Sequence, residues 1–221
     1  MTNYEALVAE GDRLREHYRS HKDIDEAIEK YKQALTIGGS RDHHCRQMIG
    51  VCYQIKCDYA AAMVWYREAL VGASEFETGN IYRDMAESES GRNNHDLALR
   101  WLGESLGRLP IEEYPEEHAA TLGFMARVYQ RRGDLELAIP YFGLASVLLG
   151  LGRNRKIELY TKLHYANALS EGGQWLKSRS VALAAAKLSR RYGGRAHKGR
   201  AVILLIGGHR LDNFVRAKRH R

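Results

Sequence analysis

The sequence predicts an all-α protein built as a stack of helix pairs, and three observations lead to this prediction. The chain has only three prolines in 221 residues and is rich in helix-forming residues, which disfavours the many turns of an all-β protein. The stretch GDLELAIPYFGLA, residues 133–145, places Ala138, Phe142 and Ala145 on one face of a helix that follows a Gly-Asp turn. The same pattern returns every 35 to 40 residues, which indicates stacked supersecondary units.

The repeated pattern is a small residue, a large residue and a second small residue at helical spacing. Small residues on a helix face let a neighbouring backbone come close, and the large residue fills the space that is left. We therefore interpret each copy as a packing unit and not as a reaction centre. The five copies are Ala27, Tyr31 and Ala34; Ala62, Tyr66 and Ala69; Ala98, Leu102 and Ser105; Ala138, Phe142 and Ala145; and Ser178, Ala182 and Ala185.

Another helix is predicted before each of these patterns, so that every copy becomes a helix pair. The first helix of the first copy begins with Thr2-x-x-Glu5, a capping-box pattern. Four extra residues separate this helix from the second helix of the copy, which begins near Asp23. The third copy carries Glu89 where the other first helices have a large apolar side chain, and the fifth copy has Ala182 at the large position of its second helix, so copies three and five are degenerate. The residues on the packing faces of the five first helices are Leu7, Gly11 and Leu14; Ile49, Gly50 and Tyr53; Met85 and Ala86; Leu122, Met125, Ala126 and Tyr129; and Tyr165, Ala166 and Leu169.

Two features interrupt the pattern. Pro140 lies inside a predicted helix, where it removes a backbone hydrogen bond, so we expect a local kink. The sequence GESLG, residues 103–107, matches the nucleophile elbow of hydrolases, but that motif requires a preceding strand. Here Ser105 falls on a small packing position within a helix, and we interpret it as a packing residue.

A reduced sixth unit is predicted to close the stack. Gly208 stands 35 residues after Gly173, and Ala201 takes the small position of a further first helix. Beyond Val215 the chain is polar and basic, which suits the solvent-facing end of a stack. We therefore expect a repeat domain over residues 1–193 and a basic C-terminal capping helix pair over residues 194–221.

These small, glycine and aromatic positions resemble the tetratricopeptide repeat family over roughly residues 2–189, most strongly in copies two and four. The 40-residue spacings are similar to those of its longer-repeat members, such as kinesin light chains and Rap-type peptide receptors. The resemblance implies a right-handed superhelical solenoid of about five repeats. It also implies that the first helix of each pair lines a concave groove that receives a peptide or helix of a partner protein.

Transferring the groove positions of the family to this chain gives a mixed, polar set of candidate binding residues. Asn167 supplies an amide that can both donate to and accept from a peptide backbone, and Arg83 and Arg127 are suited to carboxylates. Val8 and Asp12 replace the lysine and asparagine of carboxylate-gripping members, which argues against binding of chaperone tails. The alternative is that these side chains are only solvated surface. The candidates are His44, Gln47, Gln54, Arg83, Glu87, Arg127, Gln130, Arg131, Tyr160 and Asn167.

Charge is distributed unevenly along the chain. Residues 151–221 hold 17 Lys and Arg against three acids, a net charge of +14, whereas residues 1–150 have a net charge of −7. This asymmetry indicates an anionic partner for the C-terminal part, such as RNA or DNA, an acidic protein or an anionic membrane surface; the alternative is a cap that only keeps the protein soluble. The densest basic residues are Arg190, Arg191, Arg195, Lys198, Arg200, Arg210, Arg216, Lys218, Arg219 and Arg221.

Several classes of protein are disfavoured by the sequence. The N-terminal residues lack the features of a signal peptide and no apolar run is long enough to span a membrane, so we expect a cytoplasmic protein. Cys45, Cys52 and Cys57 fit reduced thiols, and their spacing matches no zinc signature, so neither a metal nor a cofactor is expected. The sequence thus predicts a non-enzymatic scaffold or adaptor that binds another protein; the alternative is a nucleic-acid-associated or peptide-sensing regulator that uses the basic end.

Overall fold

The computed structural model describes residues 2–192, which form ten helices and no strand. The helices are joined by short turns and follow one another as five pairs, as the sequence predicts. In chain order they are α1 (Asn3–Glu16), α2 (His21–Ile37), α3 (Asp42–Ile55), α4 (Tyr59–Ala69), α5 (Glu75–Gly91), α6 (His95–Arg108), α7 (Pro115–Arg132), α8 (Leu135–Leu151), α9 (Arg155–Glu171) and α10 (Trp175–Tyr192).

The predicted register of the repeats is confirmed. All fifteen residues of the small, large and small pattern lie on the second helices and are at most 3% exposed. In the first two repeats the large residue meets the small position of the preceding first helix: a Cβ added at Gly11 would lie 2.8 Å from Cε1 of Tyr31, and one added at Gly50 would lie 2.5 Å from Cε1 of Tyr66. Glycine at these positions therefore allows the two helices of a pair to approach closely.

Local signals in the sequence set several helix ends. The Thr2 hydroxyl accepts a hydrogen bond from the Glu5 backbone amide, and the Glu5 carboxylate accepts one from the Thr2 amide, so the predicted capping box is formed. Ser74 and Glu77 form a second capping box at the start of α5. Gly133 ends α7 in the left-handed conformation, with φ of +92°, which favours glycine.

The chain divides into two compact units. The first unit runs to Leu109 and contains α1 to α6, and the second begins at Pro110 and contains α7 to α10 in the described part. Within each unit the two helices of a pair pack together and successive first helices also touch, α1 with α3, α3 with α5, and α7 with α9. The handedness of the superhelix remains a prediction. The domain boundary after residue 193 also remains a prediction, because the capping pair lies outside the described residues.

The irregular positions of the sequence have specific places in this fold. Helix α8 continues through Pro140, which is exposed, and the expected kink remains a prediction. Ser105 is fully buried within α6, on the small packing position. No helix of the described part is long and apolar enough to cross a membrane.

The three cysteines are free thiols. Cys45 and Cys52 are buried on α3, whereas Cys57 is exposed in the turn that follows. Burial raises the pKa of the Cys52 thiol to about 12 and also raises the pKa of Cys45. These two thiols are therefore uncharged packing groups near neutral pH.

Candidate partner-binding site

The candidate groove residues all lie on first helices. Because the chain forms two units, the set falls into two groups, one on the face of α1, α3 and α5 and one on the face of α7 and α9. The first group is His44, Gln47 and Gln54 on α3 with Arg83 and Glu87 on α5; the second is Arg127, Gln130 and Arg131 on α7 with Tyr160 and Asn167 on α9.

In the first unit, Asp12 of α1 is the centre of a polar network. Its Oδ1 accepts a hydrogen bond from the Tyr31 hydroxyl at 2.8 Å and lies 3.3 Å from Nε2 of His44. The guanidinium groups of Arg15 and Arg41 each approach the carboxylate to 3.9 Å. Burial acts to raise the pKa of Asp12, but the hydrogen bonds from His44 and Tyr31 outweigh it and lower the pKa below its usual range. His44 is thus oriented by a carboxylate that stays charged.

A second set of bonds joins α3 to α5. Gln47 donates from Nε2 to Oδ2 of Asp84 at 2.7 Å. Burial raises the pKa of Asp84 to about 6, although the positive charge of Arg83 and the Gln47 bond act in the opposite direction. Nearer the start of these helices, Nε2 of His43 lies 2.6 Å from Oε1 of Glu77. The two contacts hold α3 and α5 together along the face that carries the candidate residues.

Gln54 has a structural position in this unit. Its Oε1 accepts hydrogen bonds from the Tyr66 hydroxyl at 2.6 Å and from the Ser88 hydroxyl at 3.2 Å. The Gln54 carbonyl thereby ties α3 to both α4 and α5. Because two protein donors already occupy this oxygen, Gln54 contributes to packing between helices.

In the second unit, α7 and α9 line an open pocket of about 340 Å³, here called the α7–α9 pocket. Gln130 and Asn167 each donate a 2.7 Å hydrogen bond to the Glu171 carboxylate, one to Oε2 and the other to Oε1. The Arg127 guanidinium carbon lies 4.9 Å from the centroid of the Phe124 ring. The pocket is lined by Arg127, Gln130, Arg131, His164, Asn167 and Glu171.

The sequence identified four of these six lining residues and missed His164 and Glu171. The ring of His164 stacks on that of Phe142, with the two centroids 6.3 Å apart and the planes 6° from parallel. His164 and Glu171 lie three residues before and four residues after Asn167, so the helical period of the face would have selected them. Tyr160, one turn before His164, is 50% exposed but does not line the pocket.

The pocket is suited to recognition by hydrogen bonds and charge. Gln130 and Asn167 each direct one donor to Glu171, and each amide also carries a carbonyl oxygen, a group that accepts hydrogen bonds. Arg127 and Arg131 supply planar, permanently charged donors that match a carboxylate or a peptide carbonyl. Among the described residues no group of three or more His, Cys, Asp or Glu side chains is placed to hold a metal ion.

Of the predicted basic residues, the structure describes the first two. Arg190 and Arg191 are exposed at the end of α10, and the Arg191 guanidinium carbon lies 5.6 Å from the centroid of the Tyr192 ring. The remaining candidates lie outside the described residues; they are Arg195, Lys198, Arg200, Arg210, Arg216, Lys218, Arg219 and Arg221.

Comparison with solved structures shows which fold these helix pairs share. The Rap conjugation gene regulator of the plasmid pLS20, solved in complex with the Phr* peptide, has a TM-score of 0.78 at 16% identity over 98% of this chain and 63% of that one. A Rap protein complexed with Competence and Sporulation Factor has a TM-score of 0.75 at 15% identity over 95% and 65% of the two chains. The nearly identical TPR-like repeats of a kinesin light chain from Podosopora anserina give 0.61 at 13% identity over 86% and 97%.

The chain has the tetratricopeptide-repeat fold. The expected resemblance to this family is confirmed for the fold, with each pair from α1–α2 to α9–α10 forming one tetratricopeptide repeat. The chain spans slightly less than two thirds of the length of the two Rap proteins. No protein-family model matches the sequence, and no curated protein matches it significantly.

Proposed function

We propose that this protein is a non-enzymatic scaffold that binds a peptide or helical segment of a partner protein on the faces of its first helices. The observation that carries the proposal is the α7–α9 pocket, in which two arginines and two amides converge. The fold supports it, because the pLS20 Rap regulator was solved in complex with a peptide. Docking, without a chemical step, is the proposed mechanism.

The pocket matches the chemistry of a peptide in extended conformation. Such a peptide presents backbone N–H donors, which the amide oxygens of Gln130 and Asn167 can accept, and carbonyl acceptors, which the arginines can satisfy. Glu171 orients both amides through its two hydrogen bonds, so their geometry is set before the partner arrives. A preorganised site loses less conformational entropy on binding than a flexible one.

The proposal is tested by affinity capture with the purified protein and a charge-reversal pair. We expect Arg83→Glu combined with Arg127→Glu to abolish capture of the partner, because the two changes reverse charge on the first-helix face of each unit. The melting temperature should fall but the protein should stay folded, because Arg83 is part-buried and its positive charge favours the Asp84 carboxylate. Circular dichroism checks that the double variant is folded.

The matched control is Arg100→Glu, which reverses an exposed charge on the second helix α6. It should capture the partner as well as the wild type does. Equal capture by the double variant and the control would place the binding surface away from the first helices and contradict the proposal.

A second candidate function is that of a nucleic-acid-associated regulator, and the charge asymmetry favours it. The net charge of +14 over residues 151–221 is sufficient for contacts to phosphates. In that case log K should fall with log salt by about 0.9 per phosphate neutralised on duplex DNA. A filter-binding titration measures this slope, and changing Arg216, Lys218, Arg219 and Arg221 to glutamine should abolish binding. If nucleic-acid binding were undetectable even at low salt, the basic C-terminal part would be a solubilising cap or a docking surface for a protein.

A further inference from the structure

The second helix of the fourth repeat presents an apolar stripe to solvent. Leu137, Leu144, Val147 and Leu151 of α8 are 44%, 51%, 64% and 83% exposed, and Pro140 of the same helix is also exposed. Successive members are three, four, three and four residues apart, which is the spacing of a coiled-coil seam. Contiguous exposed apolar side chains on a soluble protein indicate an interaction surface. We call these five residues the α8 stripe.

Comparison with the other repeats shows that the fold does not require an apolar residue on this face. The position occupied by Leu144, six residues after the first small packing residue, is Gln33 in α2, Glu68 in α4 and Glu104 in α6. All three polar side chains are exposed. The packing of a second helix in this chain is thus compatible with a polar residue there, and the leucine of α8 calls for a different explanation.

The stripe has the symmetry of a surface that pairs with itself. Leu144 is its midpoint, with Leu137 seven residues before it and Leu151 seven residues after it. No charged residue occurs between positions 137 and 152, whereas Glu136 and Arg153, both exposed, flank this segment. If a second copy of α8 is laid antiparallel on the first about a twofold axis at Leu144, Leu137 meets Leu151. The same operation brings Glu136 of each copy opposite Gly152 of the other, next to the exposed Arg153 that follows the end of α8.

We propose that the α8 stripe is a homodimer surface on which α8 packs antiparallel against α8 of a second copy. The matched ends of opposite charge select a second copy of this chain over an unrelated apolar helix, and they select the antiparallel arrangement over the parallel one, in which like charges would meet. An interface centred on one helix pair is small for a protein dimer, so the affinity is modest. This inference does not depend on the partner-binding function proposed above, because it concerns the second helices.

Sedimentation velocity of the full chain tests the proposal across about 1 to 100 µM, the range in which such a small interface should dissociate. The wild type should shift from monomer to dimer, and Leu144→Glu should remain monomeric. The matched control, Val64→Glu, adds the same charge to the exposed face of α4, where Val64 is 54% exposed, and should dimerise normally. Circular dichroism checks that each variant is folded.

A charge exchange tests the antiparallel geometry and does not touch the apolar residues. Glu136→Arg and Arg153→Glu should each weaken the dimer at least threefold, and the double variant should recover most of the wild-type affinity. A wild type that stays monomeric over the whole range overturns the proposal. A dimer that still forms with Leu144→Glu also overturns it. So does a Glu136→Arg, Arg153→Glu double variant that dimerises more weakly than either single variant, and this result is decisive even if Leu144→Glu fails to fold.

Discussion

Replacing Gly50 with alanine tests the packing of the second repeat directly. Gly50 lies in α3 against the ring of Tyr66 from α4, and an added Cβ would lie 2.5 Å from Cε1 and 2.6 Å from Cδ1 of that ring. The ring has no room to move away, since Tyr66 is fully buried and its hydroxyl donates a 2.6 Å hydrogen bond to Gln54. The substitution must therefore separate the two helices or displace the tyrosine from its partner.

Two opposing effects decide the sign of the change in stability. Alanine is favoured over glycine inside a helix by about 1 kcal/mol, whereas adding a methyl group to a close-packed core typically costs about 1 to 3 kcal/mol. A contact this short with a ring that is also hydrogen-bonded places Gly50→Ala towards the upper end of that cost. We expect a net loss of about 1 to 2 kcal/mol, which is about 4 to 16 °C in melting temperature for a unit of this size.

Gly103→Ala is the matched control in the same unit. Gly103 lies on α6, and an added Cβ would have no atom within 4 Å, so only the helix propensity changes. This variant should gain up to about 1 kcal/mol. Urea unfolding followed by circular dichroism measures both free energies. If Gly50→Ala stabilised the protein as much as Gly103→Ala, Tyr66 would not lie against Gly50 and the register of the repeats would be wrong.

Three further changes test other parts of the structure. Since the pKa of Asp84 is raised to about 6, the native state loses stability as the pH rises from about 4 to 6. Asp84→Asn should therefore raise the free energy of unfolding by up to about 3 kcal/mol at pH 7 and by little at pH 4. An equal gain at both pH values in urea titrations would contradict this. Ser74→Ala removes the hydroxyl that caps the Glu77 amide and should cost about 1 kcal/mol, whereas no loss would mean that the capping box adds nothing. Ala138→Leu overfills a fully buried position and should cost about 1 to 3 kcal/mol in the same assay; an unchanged stability would contradict the register of the fourth repeat.

The repeat register could be predicted from the sequence because excluded volume determines it. Where two helix backbones approach closely, only a small side chain fits, and this requirement is visible in the identity of each residue. Even the weak third copy follows a physical rule. Glu89, which takes a large position there, is buried and accepts hydrogen bonds from Arg92 at 3.1 Å and Asn94 at 2.6 Å, so its charge is paired.

The polar contacts could not be predicted in the same way. Whether Gln47 meets Asp84, or His43 meets Glu77, depends on how far one first helix is shifted along the next. The repeat spacing varies from 35 to 40 residues, and one residue turns a helix by about 100°, so sequence spacing does not determine these pairs. The apolar residues of α8 can be read from the sequence, but their exposure cannot. A helix without charged residues on any face is usually buried, so the sequence does not show which of its apolar side chains face solvent.

Two candidate residues, Gln54 and Asn167, make different hydrogen bonds, and this difference predicts which of the two serves the fold and which serves a partner. Removing the Gln54 side chain would leave the Tyr66 hydroxyl without its acceptor in the core, a cost of about 1 to 3 kcal/mol to folding. Asn167 of the α7–α9 pocket instead donates to an exposed carboxylate, and its loss should affect stability by less than about 0.5 kcal/mol. We therefore expect Gln54→Ala to lower the melting temperature with partner affinity nearly unchanged, and Asn167→Ala to do the reverse. Isothermal titration with the captured partner and thermal unfolding separate the two effects, and an Asn167→Ala variant that is less stable but binds normally would show that the pocket amide serves the fold and not the partner.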